Sequence, residues 1–350
     1  MKRLVLFKIL VLCAIILCTR CDKPNNKVTT HCPCFERDIP TNDNRWEYPT
    51  DWEVPESDFV GIENISLENY PKVDGSTSTN ILNTMVACKL LGIRYKWMPP
   101  LVEEWFLQYY FTDIPEPYKY DFFGTRIKTS QTHGAFMNLI DGNADIILTH
   151  RTISPDEKAH SDAVGVSLIE TSIALDAFVF VVNKNNHVKS LTVNQIQEIY
   201  TKKITNWKQV GGNNVEISVF TRPRNSGSEE VFRTLVMNGI EPADFPEAAI
   251  GSMAWVFSEV INNVNSICYS FNTYKDLQAR KPCNEVPIIA INDICPSENT
   301  VKNGTYPFIA EVHIAIRSDI DRTSMAYKLY EWLQSENAKN TIEECGFIPK

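Results

Sequence analysis

Thr221-Arg-Pro-Arg-Asn-Ser-Gly-Ser-Glu-Glu230 lies between the apolar run 215–220 and a run with helical apolar spacing. This order predicts a strand, a tight loop and the start of a helix. A glycine between two serines at a helix start leaves backbone N–H groups without intrahelical acceptors, and such groups bind anions. Arg222 could complete an anion site with a forked, charge-assisted contact.

The same residues have a second interpretation as a structural cap. Ser226 and Glu229 match the Ser-x-x-Glu pattern of a capping box, which would use those N–H groups for the helix alone. This stretch by itself leaves both alternatives open.

Two further loops repeat the pattern of hydroxyls and glycine before an apolar helix. They are Val73-Asp-Gly-Ser-Thr-Ser-Thr79 and Ile127-Lys-Thr-Ser-Gln-Thr-His-Gly134. One convergent site explains the repeats more economically than unrelated caps do. The repeats therefore favour the anion site, with Glu229 either reaching back to cap Ser226 or turning to solvent.

The composition is that of a soluble globular protein with room for two domains. The chain has 350 residues, of which 43% are hydrophobic and 22% charged, and its formal net charge is −9. Nucleic acid is not an expected partner, because phosphate-backbone binding needs a basic face. A small anion held by local dipoles is compatible with the charge.

Residues 1–21 predict an export signal. Lys2, Arg3 and Lys8 accompany an apolar run at 4–17 that is too short for a membrane span. Cys21 lies where a bacterial lipoprotein is cleaved and acylated, although Arg20 departs from the small residue usual there. Plain secretion or an uncleaved anchor is the alternative to a lipid anchor. The expected location is the periplasmic or cell-surface side of a bacterial membrane.

Residues 22–56 are rich in Asn, Asp, Pro and Thr, which predicts a flexible tether. Seven cysteines follow residue 21, at positions 32, 34, 88, 268, 283, 295 and 345. An odd number in an exported chain leaves at least one thiol free or paired with another chain. Cys32-Pro-Cys34 lacks zinc-knuckle spacing and a matching second pair, so no metal site is expected.

The rest of the chain predicts alternating strands and helices. The apolar run 174–182 predicts a buried strand that crosses between domains. Thr192 is the predicted cap of an amphipathic helix over 191–200, and 321–345 is predicted to be mainly helical. Residues 95–123, dense in aromatics and prolines, predict an irregular surface insertion.

In order and spacing, these motifs resemble the phosphate-binding proteins of bacterial ABC transporters, the PstS-like group of periplasmic substrate-binding proteins. The resemblance covers about residues 60–350 apart from the insertion. Arg222-x-x-x-Ser-Gly-Ser228 corresponds to the family's Arg, three residues, then Ser-Gly-Thr. Asp74-Gly-Ser-Thr-Ser78 and Thr132-His-Gly-Ala135 correspond to its first and second ligand loops, the second usually being Ser-Gly-Gly. Agreement outside the site includes Ile204-Thr-Asn-Trp207 and Gly346-Phe-Ile-Pro349.

The resemblance implies an α/β, two-lobed periplasmic binding protein fold of type II, each lobe a mixed sheet flanked by helices. It implies lobe I at 57–175 and 273–350 and lobe II at 176–272, with hinge strands near 173–182 and 267–272. It also implies a monomer without a cofactor that captures inorganic phosphate for an ABC permease or for sensing. The implied ligands are Ser76, Thr77, Ser78, Thr132, His150, Arg151, Arg222, Ser226, Gly227 and Ser228.

One loop departs from the family. Some members have an aspartate where this chain has Thr149-His-Arg151, and that aspartate accepts the proton of monohydrogen phosphate and so rejects sulfate. Arg151 matches the Ser-Arg of other members. His150 is either a pH-sensitive contact or, more commonly for a loop histidine, a solvated side chain.

Three classes of function stay open on these residues. The first is a binding protein for phosphate or a related, sulfate-like oxyanion. The second is an adhesin or sensor that kept the fold without transport. The third is an enzyme acting on phosphoesters, for which the sequence offers no metal-spaced cluster and no nucleophile with an obvious base.

Overall fold

The computed structural model describes residues 30–33, 59–98, 106–245, 254–278 and 285–350. Cys21, the predicted export signal and most of the predicted tether lie outside these residues. No helix within the described ranges has the length and apolar character needed to cross a membrane.

The strands occur along the whole described chain and are mostly short. They are β1 (Val73–Gly75), β2 (Tyr95–Met98), β3 (Phe106–Tyr109), β4 (Ile146–Thr149), β5 (Leu168–Val182), β6 (Ser190–Leu191), β7 (Ser218–Val219), β8 (Ser266–Phe271), β9 (Ala290–Ile291), β10 (Ile309–Arg317) and β11 (Ile348–Pro349).

The α-helices alternate with these strands. They are α1 (Asn80–Leu91), α2 (Phe122–Arg126), α3 (Gln131–Ile140), α4 (Pro155–Ala163), α5 (Val193–Tyr200), α6 (Gly227–Val231), α7 (Ala254–Asn262), α8 (Glu298–Lys302), α9 (Met325–Trp332) and α10 (Glu336–Glu344). A 3₁₀ turn at Thr77–Thr79 leads into α1, and α6 continues as a π-helical stretch, Phe232–Met237.

One mixed sheet joins the two halves of the molecule. Among the described strands its order is β1-β4-β10-β5-β8-β7, and β11 also pairs with β5. β1 and β4 are parallel, whereas β10 is antiparallel to both of its neighbours. The first part of β5 pairs with β10 and its last five residues pair with β8. The buried strand predicted from the apolar run 174–182 is therefore confirmed as part of β5, which pairs with different strands at its two ends.

Buried side chains form a core on each side of this crossing. One side draws on residues between 70 and 174 and between 312 and 347. The other draws mainly on residues between 177 and 310, with Trp207, Tyr200 and Phe232 fully buried. Because residues 286–310 pack in this second core, core membership favours a second lobe boundary near 310 rather than at 272. The division into lobes stays a prediction.

The aromatic insertion is more regular than predicted. β2 and β3 form an antiparallel pair in which Tyr95 lies opposite Tyr109. Tyr109 also stacks on Phe123, with ring centroids 3.7 Å apart. Aromatic pairs of this kind stabilise strand pairing, so the prediction of an irregular segment was wrong for these residues. Residues 99–105 lie outside the described ranges.

A disulfide connects the N-terminal stretch to the second core. Cys32 is bonded to Cys295 across 263 positions of sequence. Cys88, Cys268 and Cys345 are buried free thiols, which confirms that at least one cysteine is free. Cys34 and Cys283 lie outside the described residues.

Candidate functional site

The predicted ligand loops follow the carboxyl ends of strands. Ser76 follows β1, His150 and Arg151 follow β4, and the loop at 221–226 comes shortly after β7. In open α/β sheets, ligands bind in the crevice at the carboxyl ends of the strands. The topology therefore places these loops where such a crevice is expected.

Gly75 allows the first loop to lie directly against β4. A Cβ at Gly75 would come within 2.7 Å of the Leu148 carbonyl oxygen. The same carbonyl accepts hydrogen bonds from the Ser76 N–H at 3.1 Å and the Thr79 hydroxyl at 2.8 Å. A side chain would prevent this approach, so glycine fixes the position of the hydroxyls that follow it.

Asp74 joins the first loop to the second. Its fully buried carboxylate accepts from the N–H groups of Gly75 at 2.7 Å and Ser130 at 2.9 Å, and from the Asn138 amide at 2.7 Å. These donors compensate the cost of burying the charge. Asp74 stands in the first loop motif, but the sequence gives no sign of this role, because its partners lie 56 and 64 positions away.

The second and third loops meet across the two halves of the molecule. Thr132, at the start of α3, is 2% exposed. A Cβ at Gly227, the first residue of α6, would lie 2.4 Å from the Thr132 hydroxyl oxygen. Beside this contact, the Asn225 amide donates to Asp156 Oδ2 at 3.0 Å. The structure thus brings together two of the predicted ligand loops that are far apart in sequence.

Ser226 caps α6, but Glu229 does not complete the box. The Ser226 hydroxyl accepts from the Glu229 N–H at 3.3 Å. The Glu229 carboxylate is buried and accepts from Arg233 Nε at 2.7 Å, from the Tyr269 hydroxyl and from the Arg222 N–H. The prediction that Glu229 reaches back or turns to solvent was therefore wrong, because donors inside the lobe satisfy the charge. The first-turn N–H groups of Gly227 and Ser228 have no intrahelical acceptor.

Burial changes the pKa of two side chains next to this third loop, Arg222 and Tyr269. It lowers the pKa of Arg222, although a guanidinium remains charged in proteins. It raises the pKa of Tyr269, and the neighbouring Glu229 carboxylate adds to that effect, so the phenol stays a neutral donor. A desolvated guanidinium beside a helix start favours an anion.

His150 is buried rather than solvated. Its ring is 2% exposed and stacks on Phe271, with centroids 4.0 Å apart. Nδ1 lies 2.8 Å from the Ser78 hydroxyl oxygen. The solvated alternative was wrong, and Ser78 with His150 is a hydroxyl and base pair that the sequence analysis missed. The spacing of 72 residues between them gives no local signal.

Arg151 is held by an acidic partner. Its Nη1 and Nη2 each donate to a Glu157 carboxylate oxygen at 2.7 Å, and the Glu157 side chain is fully buried. Within the described part of the chain, the buried Arg151 Nε has no hydrogen-bond partner.

A possible metal-ligand group in the described residues shares the same carboxylate. It consists of His133, Asp156 and Glu157. Glu157 already binds Arg151, and a guanidinium at 2.7 Å repels a cation. We assign no metal to this group.

The sequence is similar to a known protein family and to individual phosphate-related proteins. The family model described as PBP superfamily domain matches residues 97–337. The phosphate-binding protein PstS of Bacillus subtilis is 25% identical over 210 residues, which are 59% of this chain and 63% of that protein. The chain thus spans less than two thirds of that relative. Protein SphX of Synechococcus elongatus is 25% identical over 229 residues, 64% of this chain and 68% of SphX.

Solved structures that share the fold include two from phosphate transport systems. One is a putative phosphate ABC transporter substrate-binding protein from Clostridium perfringens, with a TM-score of 0.58 and 21% identity over 82% of this chain and 99% of that one. The other is an ABC-type phosphate transport receptor from Vibrio cholerae, with a TM-score of 0.54 and 24% identity over 79% of this chain and 98% of that one. The predicted α/β fold class is confirmed.

Proposed function

Since the chain belongs to the PBP superfamily, we propose that it captures inorganic phosphate between its two lobes. The observation that carries the proposal is the meeting of Thr132 with Gly227, which joins ligand loops from opposite sides of the crossing strand. Phosphate bound there would be presented to an ABC permease or reported to a sensor. The chain would act as a monomer outside the cytoplasm, attached to the membrane by a lipid on Cys21.

The proposed ligands combine one guanidinium with neutral dipoles. A buried anion is tolerated when most of its oxygens accept hydrogen bonds, and hydroxyl and N–H donors supply these without making the site strongly positive. Arg151 would contribute through Nε, because Glu157 holds its terminal nitrogens. The complete proposed set is Ser76, Thr77, Ser78, Thr132, His150, Arg151, Arg222, Ser226, Gly227 and Ser228.

Titration calorimetry with inorganic phosphate tests this proposal on protein that retains Cys32, and therefore the Cys32–Cys295 disulfide. Arg222→Ala should weaken phosphate binding by more than about tenfold, because a hydrogen bond to a charged group contributes about 1.5–3 kcal/mol. Arg224→Ala is the matched control, since Arg224 is an exposed arginine of the same loop.

Arg224→Ala should leave the affinity within about twofold of wild type, since isolated surface charges contribute little. Equal affinities for wild type and Arg222→Ala would contradict the site. Absence of phosphate binding to the wild-type protein would contradict the function and favour an adhesin or sensor that kept the fold.

The pair of Ser78 and His150 suggests a second candidate, hydrolysis of phosphate esters. We favour capture without catalysis, because the curated relatives that the chain resembles include phosphate-binding proteins. Incubation with a chromogenic phosphate ester should give no turnover. Turnover by the wild-type protein that is abolished in Ser78→Ala would instead favour the hypothesis of an enzyme.

A further inference from the structure

The imidazole of His150 lies between a ligand loop and the strand that crosses between the lobes. Nδ1 faces the Ser78 hydroxyl at 2.8 Å. On the opposite edge, Nε2 lies 3.5 Å from Oδ2 of Asp176 in β5. His150 and Asp176 are 2% and 1% exposed, so solvent does not screen the contact. Asp176 is the one acidic residue in the apolar run 174–182.

The Asp176 carboxylate favours a proton on Nε2 of His150, although the two atoms are too far apart for a short hydrogen bond. A bare Nε2 lone pair would face a buried carboxylate and be repelled, whereas an Nε2–H is attracted to it. In the neutral ring, the proton on Nε2 leaves Nδ1 as an acceptor. Burial lowers the pKa of neighbouring His313 on β10, so at neutral pH His313 brings no competing positive charge.

Ser78 then has a fixed direction of hydrogen bonding. When its single hydroxyl proton is donated to Nδ1, its oxygen can only accept from other groups. The Ser76 hydroxyl, whose oxygen lies 3.0 Å away, donates to one lone pair, which leaves the second lone pair for a ligand. Thr79 in the same turn is fixed in the same way, because its hydroxyl donates to the Leu148 carbonyl at 2.8 Å. The first loop thus presents an acceptor among the donors of the site.

We propose that His150, oriented by Asp176, makes Ser78 an acceptor for a ligand oxygen that carries a proton. The site would then prefer oxyanions of the hydrogen phosphate class over fully ionised sulfate, which has no proton to donate. A neutral hydroxyl polarised by a buried histidine would thereby set the selectivity. This inference rests on the proposed function, in which Ser78 is a ligand, and His150 acts through Ser78 as a positioning residue.

Asp176→Asn should reverse the direction of the hydrogen bonds that run from residue 176 through His150 to Ser78. The substitution changes the shape of the side chain little. Asp176 Oδ1 accepts from the N–H groups of Ala177 at 2.8 Å and Thr273 at 3.2 Å, so the amide oxygen is expected to keep that place. Only the longer contact of the Thr273 N–H with Oδ2, at 3.3 Å, is lost. The amide NH₂ then faces Nε2 and donates to it, which moves the imidazole proton to Nδ1. Ser78 must then accept from Nδ1 and point its own proton at the ligand.

Calorimetry with phosphate and sulfate at neutral pH measures the result. The ratio of phosphate to sulfate affinity should fall by about tenfold or more in Asp176→Asn, since Ser78 no longer accepts the proton of hydrogen phosphate and instead makes a charge-assisted hydrogen bond to sulfate. Asp141→Asn is the matched control, because Asp141 forms an exposed pair with His160 at 2.7 Å. The control should keep the wild-type ratio. An unchanged ratio in Asp176→Asn would overturn the inference.

Nitrogen NMR of the wild-type ring tests the inference without a variant. The ¹⁵N shifts of His150, assigned with His150→Gln, should show a protonated Nε2 and a bare Nδ1. A proton on Nδ1 at neutral pH would overturn the inference even if phosphate binds. Failure of wild type to bind either oxyanion would instead overturn the proposed function, and the selectivity inference with it.

Discussion

Gly227 decides how closely the second and third ligand loops approach. Gly227→Ala would place a methyl group 2.4 Å from the Thr132 hydroxyl oxygen, so the Thr132 side chain or the loops themselves would have to move. Overpacking of this kind costs about 1–3 kcal/mol, which corresponds to roughly 5- to 150-fold weaker phosphate binding. Helix propensity alone would favour alanine, so a loss of affinity would identify the contact as its cause.

Gly124→Ala is the control for this substitution, because a Cβ at the helical Gly124 meets nothing within 4 Å. Titration calorimetry should show wild-type phosphate affinity for Gly124→Ala. Unchanged affinity for Gly227→Ala would mean that the loops do not meet in the bound state.

The proposed ligand side chains are easier to predict from the sequence than the residues that orient them. Thr132 and Gly227 stand in hydroxyl and glycine loops before apolar helices, which is a local pattern. Asp176 and Glu157 act through His150 and Arg151, and nothing in their immediate neighbours predicts that. The sequence does contain a signal for Asp176, since an acidic residue inside a buried apolar run requires a partner.

At the scale of elements, the N-terminus of α4 is bound to β4 through Arg151 and Glu157. Glu157 accepts both terminal nitrogens of Arg151 at 2.7 Å and also the Ser154 N–H at 2.9 Å. Glu157→Gln leaves a buried guanidinium without its counter-charge, so the free energy of unfolding should fall by about 3 kcal/mol. Urea denaturation measures this change.

Glu336→Gln is the comparison for that measurement. Glu336 pairs with Lys339 at 2.8 Å, but its side chain is 84% exposed. Removal of an exposed pair should change the free energy of unfolding by less than about 1 kcal/mol. Equal effects of the two substitutions would show that the Arg151–Glu157 pair does not stabilise the fold.

Elements with local signals were predicted and those that depend on distant pairing were not. α5 begins where expected, since Thr192 caps it and Gln195 completes the box. The strand pair of β2 and β3 was missed because each strand has only four residues, so that the alternation of Tyr95 and Trp97 with Lys96 is too short to stand out.

Across the whole molecule, the N-terminal stretch makes stability sensitive to acid. Burial and the nearby Lys189 charge lower the pKa of His31 to about 4, compared with about 6.5 in an unfolded chain. The unfolded chain binds more protons between these values, so the free energy of unfolding falls as pH drops from about 6.5 to about 4. Burial lowers the pKa of His313 and acts in the same direction.

His31→Gln should remove part of this acid sensitivity. The measurement is urea denaturation at pH 7 and at pH 4.5, and the difference between the two should be smaller in the variant than in wild type. His187→Gln, at an exposed position in the same half of the molecule, should retain the wild-type difference. Parallel pH profiles for wild type and His31→Gln would contradict the assignment.

The architecture of the whole molecule was predictable in class but not in its boundaries. The continuous apolar run of β5 predicts a strand that crosses between lobes, and it does pair with β10 at one end and β8 at the other. The family resemblance implies that the chain goes back to lobe I after residue 272, yet residues 286–310 pack in the second core. The position of this boundary depends on packing against β5, and no local sequence pattern predicts such packing.

The most direct measurement of the central claim is a crystal structure of the protein with inorganic phosphate. We expect the anion between the first, second and third loops, in contact with Ser78, Thr132 and the Arg222 guanidinium. Hydrogen-bond distances of about 2.7–3.2 Å to these groups would confirm it. Phosphate bound elsewhere, or bound without Arg222 and Thr132, would contradict it.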